Sequence, residues 1–354
     1  MRADVAIRAD ASLAIATGHI YRTLVLARAL AERGRTAAFI VRPLPGDLIA
    51  LVRSEGFPVV ELGPPEEGNN DWLAVPVERE LREARVALAE LGAPRSVIVD
   101  HYELDTRWET MAAESGARVT ALDDLANRTH LGAAVVVDPT PYEAGRYDGK
   151  IRPGAELFSG VRYAIVRDAF VEAYRRPRPR DGTIRRIMIF YSGVDPAGET
   201  QRALRALARI PGDFRIDVAV GLSSPHRAEI ARLAAEDPRA HLSDGGAAMA
   251  GLCRDADLAL GAPGTAAWER ALAGVPSVVT AIGPLQDDVL RRLGSTGAVV
   301  PMGRAGSVPL EAYVDTVRSL LNDPVRVRAM SEAARALVEG FEEARAEVLE
   351  AVCR

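Results

Sequence analysis

The fold is decided by residues 5–34, which read VAIRADASLAIATGHIYRTLVLARALAERG. The run Val5-Ala6-Ile7 predicts a short buried strand, and a loop of small residues follows it. From Ile20 onward apolar residues recur at helical spacing, so His19 lies in the first turn of a helix. The N-terminus of a helix favours anionic ligands, because its first N–H groups are unpaired and carry partial positive charge. A histidine at that position can act as a general base, although it can also be a cap or a packing residue.

Composition limits the class of protein. The chain has 354 residues, enough for two domains, with 48% hydrophobic and 26% charged residues. A net charge of −5 argues against non-specific nucleic-acid binding. We find neither the ~20-residue apolar run of a membrane span nor the apolar core of a signal peptide. The two cysteines, Cys253 and Cys353, suit a reducing compartment, so we expect a cytoplasmic protein.

The chain alternates between short β-branched runs and helical patterns. This alternation predicts parallel sheets with helices on both faces, an α/β architecture. It stops in the loop-rich segment 139–153 and resumes at Arg186, and we interpret the Arg- and Pro-rich run 175–180 between them as an interdomain linker. We therefore predict two Rossmann-like domains, over 1–175 and 176–335, and a final helix over 336–354.

Polar residues stand at the ends of the predicted strands, where open parallel sheets bind ligands. These ends carry Asp10, Asp100-His101-Tyr102, Asp123-Asp124, Ser192-Gly193 and Gly261–Thr265. Two facing domains would bring all of them to one central cleft. Asp100-His101 could pair a carboxylate with an imidazole or be structural. The pair Asp123-Asp124 could bind a metal, but such a pair more often caps the next segment.

The segment Gly261-Ala-Pro-Gly264-Thr265 joins a predicted strand to a predicted helix. The backbone N–H groups of such a turn can hold a diphosphate, and the Thr265 hydroxyl would add a donor. Glu269 follows four residues later on the same helix face, from which a carboxylate can reach a ribose diol. The alternative is an ordinary strand-to-helix turn with a solvated glutamate. The turn is neither a Walker loop nor a GxGxxG fingerprint.

Other signatures are missing or misplaced. Asp255-Ala-Asp257 looks like the DxD motif of metal-dependent glycosyltransferases, but it precedes a strand and so lies at the wrong end of the sheet. We find no zinc-ligand spacing, no Gly-x-Ser-x-Gly elbow and no Cys–His nucleophile pattern. The sequence predicts no metal site and no cofactor.

Five ordered motifs resemble the nucleotide-sugar hydrolases of pseudaminic acid biosynthesis and their spore-coat polysaccharide relatives, in the GT-B glycosyltransferase superfamily. The motifs are Arg8-x-Asp10 with Gly18-His19-Ile-x-Arg22, Asp100-His101-Tyr102-x-Leu104-Asp105-x-x-Trp108-Glu109, Leu122-Asp123-Asp124-Leu125-Ala126-Asn127-Arg128-x-His130, Gly160-Val-Arg162-Tyr163-Ala164-Ile-Val-Arg167-x-x-Phe170 and Gly264-Thr265-x-x-Trp268-Glu269. The matches run in the family order to about Gln286, so they cover nearly the whole chain.

The resemblance implies a GT-B fold, in which two Rossmann-like domains face a central cleft and the C-terminal helix crosses back to the N-terminal domain. It also implies hydrolysis of a UDP-linked 2,4-diacetamido-2,4,6-trideoxy sugar without a metal. His19 would be the general base on the attacking water, and UDP would leave. The expected sugar-side residues are Arg8, Asp10, Gly18, Asp100, His101, Tyr102 and Trp268, and the expected UDP-binding residues are Gly193, Gly264, Thr265, Glu269 and Gln286.

Two departures from the family pattern bear on the substrate. Ala16 and Ser192 stand where the family usually has glycine, which restricts the backbone near the sugar and phosphates. Three alternatives stay open: a GT-B glycosyltransferase that passes the sugar to an acceptor, a non-catalytic nucleotide-sugar binding subunit, and a UDP-sugar 2-epimerase. The sequence predicts a UDP-sugar ligand and leaves the oligomeric state undetermined.

Overall fold

The computed structural model describes residues 2–15, 17–69, 71–221, 224–245 and 248–354. Ala16, one of the two departures from the family pattern, lies outside them. The described chain forms two compact units, one of Met1–Ile165 with Gly340–Arg354 and one of Val166–Glu339. No helix among the described residues is long and apolar enough to cross a membrane.

The first unit is built on a seven-stranded parallel sheet in the order β3-β2-β1-β4-β5-β6-β7. Its strands are β1 (Val5–Ala9), β2 (Ala37–Val41), β3 (Val59–Glu61), β4 (Ser96–Asp100), β5 (Arg118–Leu122), β6 (Val135–Asp138) and β7 (Glu156–Ser159). Its first four helices are α1 (Gly18–Glu32), α2 (Ile49–Ser54), α3 (Val77–Glu90) and α4 (Thr106–Ala113).

The second unit has a six-stranded parallel sheet in the order β10-β9-β8-β11-β12-β13. Its strands are β8 (Arg186–Phe190), β9 (Arg215–Val220), β10 (Ala240–Asp244), β11 (Leu258–Gly261), β12 (Ser277–Ala281) and β13 (Val299–Arg304). Its helices are α5 (Asp168–Arg175), α6 (Glu199–Leu207), α7 (Arg227–Glu236), α8 (Met249–Asp255), α9 (Thr265–Leu272), α10 (Asp287–Gly294), α11 (Leu310–Leu321) and α12 (Pro324–Ala336). The predicted pair of parallel sheets is confirmed.

Strand β1 shows why its sequence reads as a continuous apolar run. Successive side chains of a strand point to opposite faces, and here both faces are covered. Ile7 packs on the face that α1 covers, whereas Ala6 packs on the face that α3 and α4 cover. The middle of the first sheet is therefore buried on both sides, and polar groups are left to the strand ends.

The last helix, α13 (Phe341–Cys353), belongs to the first unit. It packs against α1 and β4, and its Ala344 and Val348 join the core above β1. The Ser96 hydroxyl donates to the Val352 carbonyl at 3.0 Å, which fastens the helix to the start of β4.

The boundary between the units falls between Ile165 and Val166, before the predicted residue 175, and the second unit ends at Glu339. Helix α5 lies in the second unit because its apolar face contacts α8 and α9. Residues 175–180, which the sequence interpretation made a linker, lie within the second unit. Arg178 and Arg180 donate to backbone carbonyls at the C-terminal ends of α8 and α9, including that of Ala256 at 2.9 Å from Arg180 Nε.

Candidate functional site

His19 and Asp100 form a buried pair at the C-terminal end of the first sheet. Gly18 is the first residue of α1, so His19 lies in its first turn as predicted. The Nδ1 atom of His19 lies 2.6 Å from Oδ1 of Asp100, the last residue of β4. A carboxylate only accepts, so Nδ1 carries a proton, and in the neutral imidazole the lone pair is on Nε2. Within the described residues Nε2 has no hydrogen-bond partner, and the His19 residue is 6% exposed. Nε2 is therefore the atom that can accept a proton.

Arg22 holds the Asp100 carboxylate in place. It lies three residues after His19 on the same face of α1 and donates to both Asp100 oxygens at 2.6 Å. Its third nitrogen donates to Asp124 at 2.8 and 3.0 Å. Burial alone would raise the pKa of Asp100, but Arg22 and His19 outweigh it and hold that pKa well below its ordinary value. Asp100 stays ionised and fixes the tautomer of His19.

An aromatic wall adjoins the histidine. The ring of Tyr102 meets His19 edge-on at 4.7 Å, and Trp72 stacks on Tyr102 at 5.3 Å. The Tyr102 hydroxyl donates to Asp124, and burial together with this carboxylate raises its pKa well above the ordinary value, so it remains a neutral donor. The Glu103 carboxylate accepts a hydrogen bond from the backbone N–H group of Trp72 at 3.1 Å. This bond fixes the loop that carries the indole ring. Tyr102 and Trp72 therefore both contact the His19 ring edge-on.

Arg8 and Asp10 belong to a second buried network at the end of β1. Nη1 of Arg8 lies 2.6 Å from Oδ1 of Asp10, and Nε of Arg8 donates to Oε1 of Glu80 at 2.8 Å. Arg42 donates from its backbone to Asp10 at 2.8 Å and from its side chain to Glu80 at 2.6 Å. Burial would raise the pKa of Glu80, but the two arginines lower it to about 2. All four side chains are fully buried. The sequence assigned Arg8 and Asp10 to the sugar. In the structure both belong to this buried ion-pair network, which stabilises the end of β1.

His101 follows Asp100 and points into this second network. Its Nδ1 atom accepts the N–H group of Glu103 at 3.2 Å, so the proton is on Nε2. Nε2 lies 3.6 Å from Oδ2 of Asp10, too far for a hydrogen bond. Burial lowers the pKa of His101 to about 4, so the side chain is neutral at pH 7.

The low pKa of His101 predicts a pH-dependent stability. In the unfolded chain the pKa returns to about 6.5, so between pH 6.5 and 4 the unfolded state binds more protons than the folded state. The free energy of unfolding therefore decreases as the pH falls. From pH 7 to pH 5 the contribution of this residue is roughly 2 kcal/mol. We expect urea unfolding of wild type to lose that much more stability than His101→Gln over the same range.

The matched control for this prediction is His241→Gln. His241 is exposed on β10, and we expect its replacement to leave the wild-type pH dependence unchanged. Comparison with wild type cancels the contributions of the other titrating groups. Equal pH dependences for wild type and His101→Gln would contradict the prediction.

Asp123 has the capping role that the sequence favoured. Its carboxylate accepts the N–H groups of Leu125 and Ala126 at 3.1 and 2.8 Å, together with Arg128 at 2.8 Å. In the second unit Asp257 similarly accepts the N–H groups at the start of β8. The described residues contain no group of His, Cys, Asp and Glu side chains suited to a metal ion.

The predicted nucleotide residues all belong to the second unit. Gly264 is the N-cap of α9, which begins at Thr265, and a Cβ on Gly264 would lie 3.6 Å from the Gln286 amide nitrogen. Gln286 itself accepts the N–H group of Ile282 at 2.9 Å. Gly193 follows β8, and the turn that contains Gly264 follows β11. Because β8 and β11 pair in parallel, Gly193 and this turn lie at the same edge of the sheet.

Glu269 lies one turn into α9, as predicted, but it has a partner that the sequence did not indicate. Arg167 donates to its Oε1 atom at 2.9 and 3.1 Å. Among the described residues the Oε2 atom has no hydrogen-bond partner. Burial raises the pKa of Glu269 despite this arginine. Trp268, which the sequence assigned to the sugar, is only 3% exposed, a position that favours packing within the second unit.

Sequence reasoning missed three residues of the first-unit site. Arg22 and Asp124 stand in the quoted motifs, and the spacing of Arg22 three residues after His19 could have indicated its role. Trp72 stands in a polar loop with no pattern around it, so the sequence carried no signal for it.

No protein family model matches the chain. It is 23% identical over 342 residues to the spore coat polysaccharide biosynthesis protein SpsG of Bacillus subtilis, covering 95% of this chain and 94% of that protein. It is 25% identical over 231 residues to the UDP-2,4-diacetamido-2,4,6-trideoxy-β-L-altropyranose hydrolase of Campylobacter jejuni, covering 65% and 74%. It is 24% identical over 304 residues to an uncharacterized protein of Methanocaldococcus jannaschii, covering 82% of this chain but only 59% of that protein's length.

Solved structures show the fold. MurG of Acinetobacter baumannii superimposes with a TM-score of 0.69 at 17% identity, covering 98% of each chain. The spinosyn rhamnosyltransferase SpnG superimposes with a TM-score of 0.65 at 18% identity, covering 98% of this chain and 99% of the other. The chain therefore has the GT-B fold, and it resembles the nucleotide-sugar hydrolase and the spore-coat polysaccharide protein, as its motifs predicted.

Proposed function

We propose that the chain hydrolyses a UDP-linked 2,4-diacetamido-2,4,6-trideoxy sugar to the free sugar and UDP. The observation that carries the proposal is the buried His19–Asp100 pair, which leaves Nε2 of His19 with its lone pair available. The similarity to the hydrolase of Campylobacter jejuni supports the choice of reaction and substrate. We place the reaction in a reducing, cytoplasmic setting because both cysteines are free thiols.

In the proposed step, Nε2 of His19 takes a proton from water as the water oxygen bonds to the anomeric carbon. The bond from that carbon to the UDP oxygen breaks, and its electron pair leaves with the diphosphate. Asp100 stabilises the imidazolium that forms, as a carboxylate does for a general-base histidine. Arg22 and Asp124 keep the Asp100 carboxylate in position.

We assign the nucleotide to the second unit. Backbone N–H groups at Gly264 and Thr265 would bind the diphosphate at the start of α9, with Gly193 and Gln286 nearby in the fold. The Oε2 atom of Glu269, which has no partner in the described part of the chain, would accept from the ribose diol, while Arg167 donates to the other oxygen. The sugar is assigned to the His19 side, with Tyr102 and Trp72 as its wall.

Incubation with this UDP-sugar in ¹⁸O-labelled water, without any acceptor, tests the proposal. We expect release of UDP and one ¹⁸O atom in the free sugar, because water attacks the anomeric carbon. Label in the UDP would contradict attack at carbon. Binding of the UDP-sugar without release would contradict hydrolysis and would favour a glycosyltransferase, in which an acceptor hydroxyl gives its proton to His19.

A further inference from the structure

Arg270, on α9 directly after Glu269, is a buried cation, and its hydrogen-bond partners among the described residues are neutral. Arg270 is only 2% exposed. Nε donates to the Ser277 hydroxyl at 3.1 Å, and Nη2 donates to the Ala262 carbonyl at 2.9 Å. Nη1 is buried without a hydrogen-bond partner in the described part of the chain. Among these residues no carboxylate forms an ion pair with Arg270.

The surrounding side chains compensate for this charge only in part. Glu269 is near, but Arg167 already pairs with its carboxylate. The Cys253 thiol is also near, and burial raises its pKa to about 12, so it is uncharged at pH 7. A buried charge costs several kcal/mol unless it is compensated. The unliganded chain therefore bears a cost that an anion could relieve.

The guanidinium lies against Gly261 and Ala262, at the start of the turn between β11 and α9. A Cβ atom on Gly261 would lie 2.7 Å from Nη1, so the absence of a side chain there lets the guanidinium approach the backbone. Nη2 donates a hydrogen bond to the carbonyl oxygen of Ala262, the next residue of the turn. The unpartnered donor therefore lies at Gly261, where the turn begins, and the first N–H groups of α9 follow Gly264, where it ends.

We propose that Arg270 is the fixed counter-charge for a diphosphate bound at the turn Gly261–Gly264. The role rests on the proposed function and deepens it, since it names a residue that binds the leaving group electrostatically. Arg270 is a positioning residue, because it acts through its field and through the Ala262 carbonyl and does not touch the ligand. As the bond to the anomeric carbon breaks, the diphosphate gains negative charge, and a preorganised cation stabilises that charge.

The test compares the affinities of the whole chain for UDP and for uridine, which lacks the diphosphate, by calorimetry. Arg270→Gln keeps a polar side chain of similar reach but removes the charge. We expect it to weaken UDP binding by about tenfold, the size of one charge–charge interaction across about 12 Å at an effective dielectric constant near 20, and to leave uridine binding within about twofold. Arg270→Lys keeps the charge and is expected to recover most of the UDP affinity.

Ser277→Ala is the matched control, because it removes a partner of Arg270 and leaves the charge. We expect its ratio of UDP to uridine affinity to equal that of wild type. Equal losses for both ligands in Arg270→Gln, or no loss for either, would overturn the proposal. Thermal unfolding of the unliganded variants adds a second measurement: the proposal expects Arg270→Gln to be at least as stable as wild type, since an uncompensated charge is removed.

Binding without turnover separates this proposal from the hydrolase function. A wild-type chain that binds UDP through Arg270 but releases no sugar would contradict hydrolysis and support the role of Arg270. A wild-type chain that hydrolyses the UDP-sugar, with unchanged UDP affinity in Arg270→Gln, would support hydrolysis and contradict the role of Arg270.

Discussion

Replacement of Asp100 by asparagine is expected to lower the rate of UDP-sugar hydrolysis at saturating substrate by roughly 10³-fold. The carboxylate accepts the Nδ1 proton of His19 at 2.6 Å, and it would stabilise the positive charge on the ring in the transition state. An asparagine amide can donate to Nδ1, which would put the proton on Nε2 and remove the lone pair that takes the proton from water. Steady-state kinetics of UDP release measures the effect.

Asp124→Asn is the control for this variant. Asp124 binds the same Arg22 side chain but does not touch His19, and Asp100 would still hold the ring. We expect a loss of about tenfold or less. Equal losses of hydrolysis rate in Asp100→Asn and Asp124→Asn would mean that this hydrogen-bond network contributes only to packing. The assignment of Asp100 as the partner of the general base would then be wrong.

Glu80→Gln is expected to lower the free energy of unfolding of the first unit by about 3 kcal/mol or more. Glu80 lies between the buried guanidinium groups of Arg8 and Arg42, at 2.8 and 2.6 Å. Removal of its charge leaves two buried cations with Asp10 as their remaining fully buried carboxylate. Urea unfolding at pH 7, followed by circular dichroism, measures the loss.

Glu83→Gln provides the comparison. Glu83 also pairs with Arg42, but its side chain is 24% exposed, so water compensates for part of the lost interaction. We expect a loss of about 1 kcal/mol or less. A Glu80→Gln variant as stable as Glu83→Gln would contradict the account of Arg8 and Asp10 as parts of a buried support.

The sequence predicted the two sheets because parallel strands that are buried on both faces leave a simple pattern. Every residue of β1 and β4 is buried, and their apolar runs alternate with amphipathic helices. The contacts of residues 175–180 could not be predicted in this way. Composition shows that residues 175–180 are basic and rich in proline, but it cannot show that Arg178 and Arg180 find carbonyl acceptors around α8.

The site was predictable only in part. The position of His19 followed from local spacing, and its Asp100 partner lies at the end of the neighbouring strand because β1 and β4 pair in parallel register. Local sequence patterns do not determine the order of strands in a sheet, so the sequence could not predict the contact between His19 and Asp100. Burial was equally inaccessible. Arg8 and Trp268 belong to convincing motifs, and the structure buries both residues, at 0% and 3% exposure.

The most direct test of the account is acceptor-free release of UDP from UDP-2,4-diacetamido-2,4,6-trideoxy-β-L-altropyranose by wild type and by His19→Ala. Calorimetric binding of UDP to both proteins serves as the control for folding of the second unit. The account predicts rapid release by wild type and a loss of at least ~10²-fold in the variant, with UDP affinity unchanged. Release at the same rate in both proteins would contradict His19 as the general base.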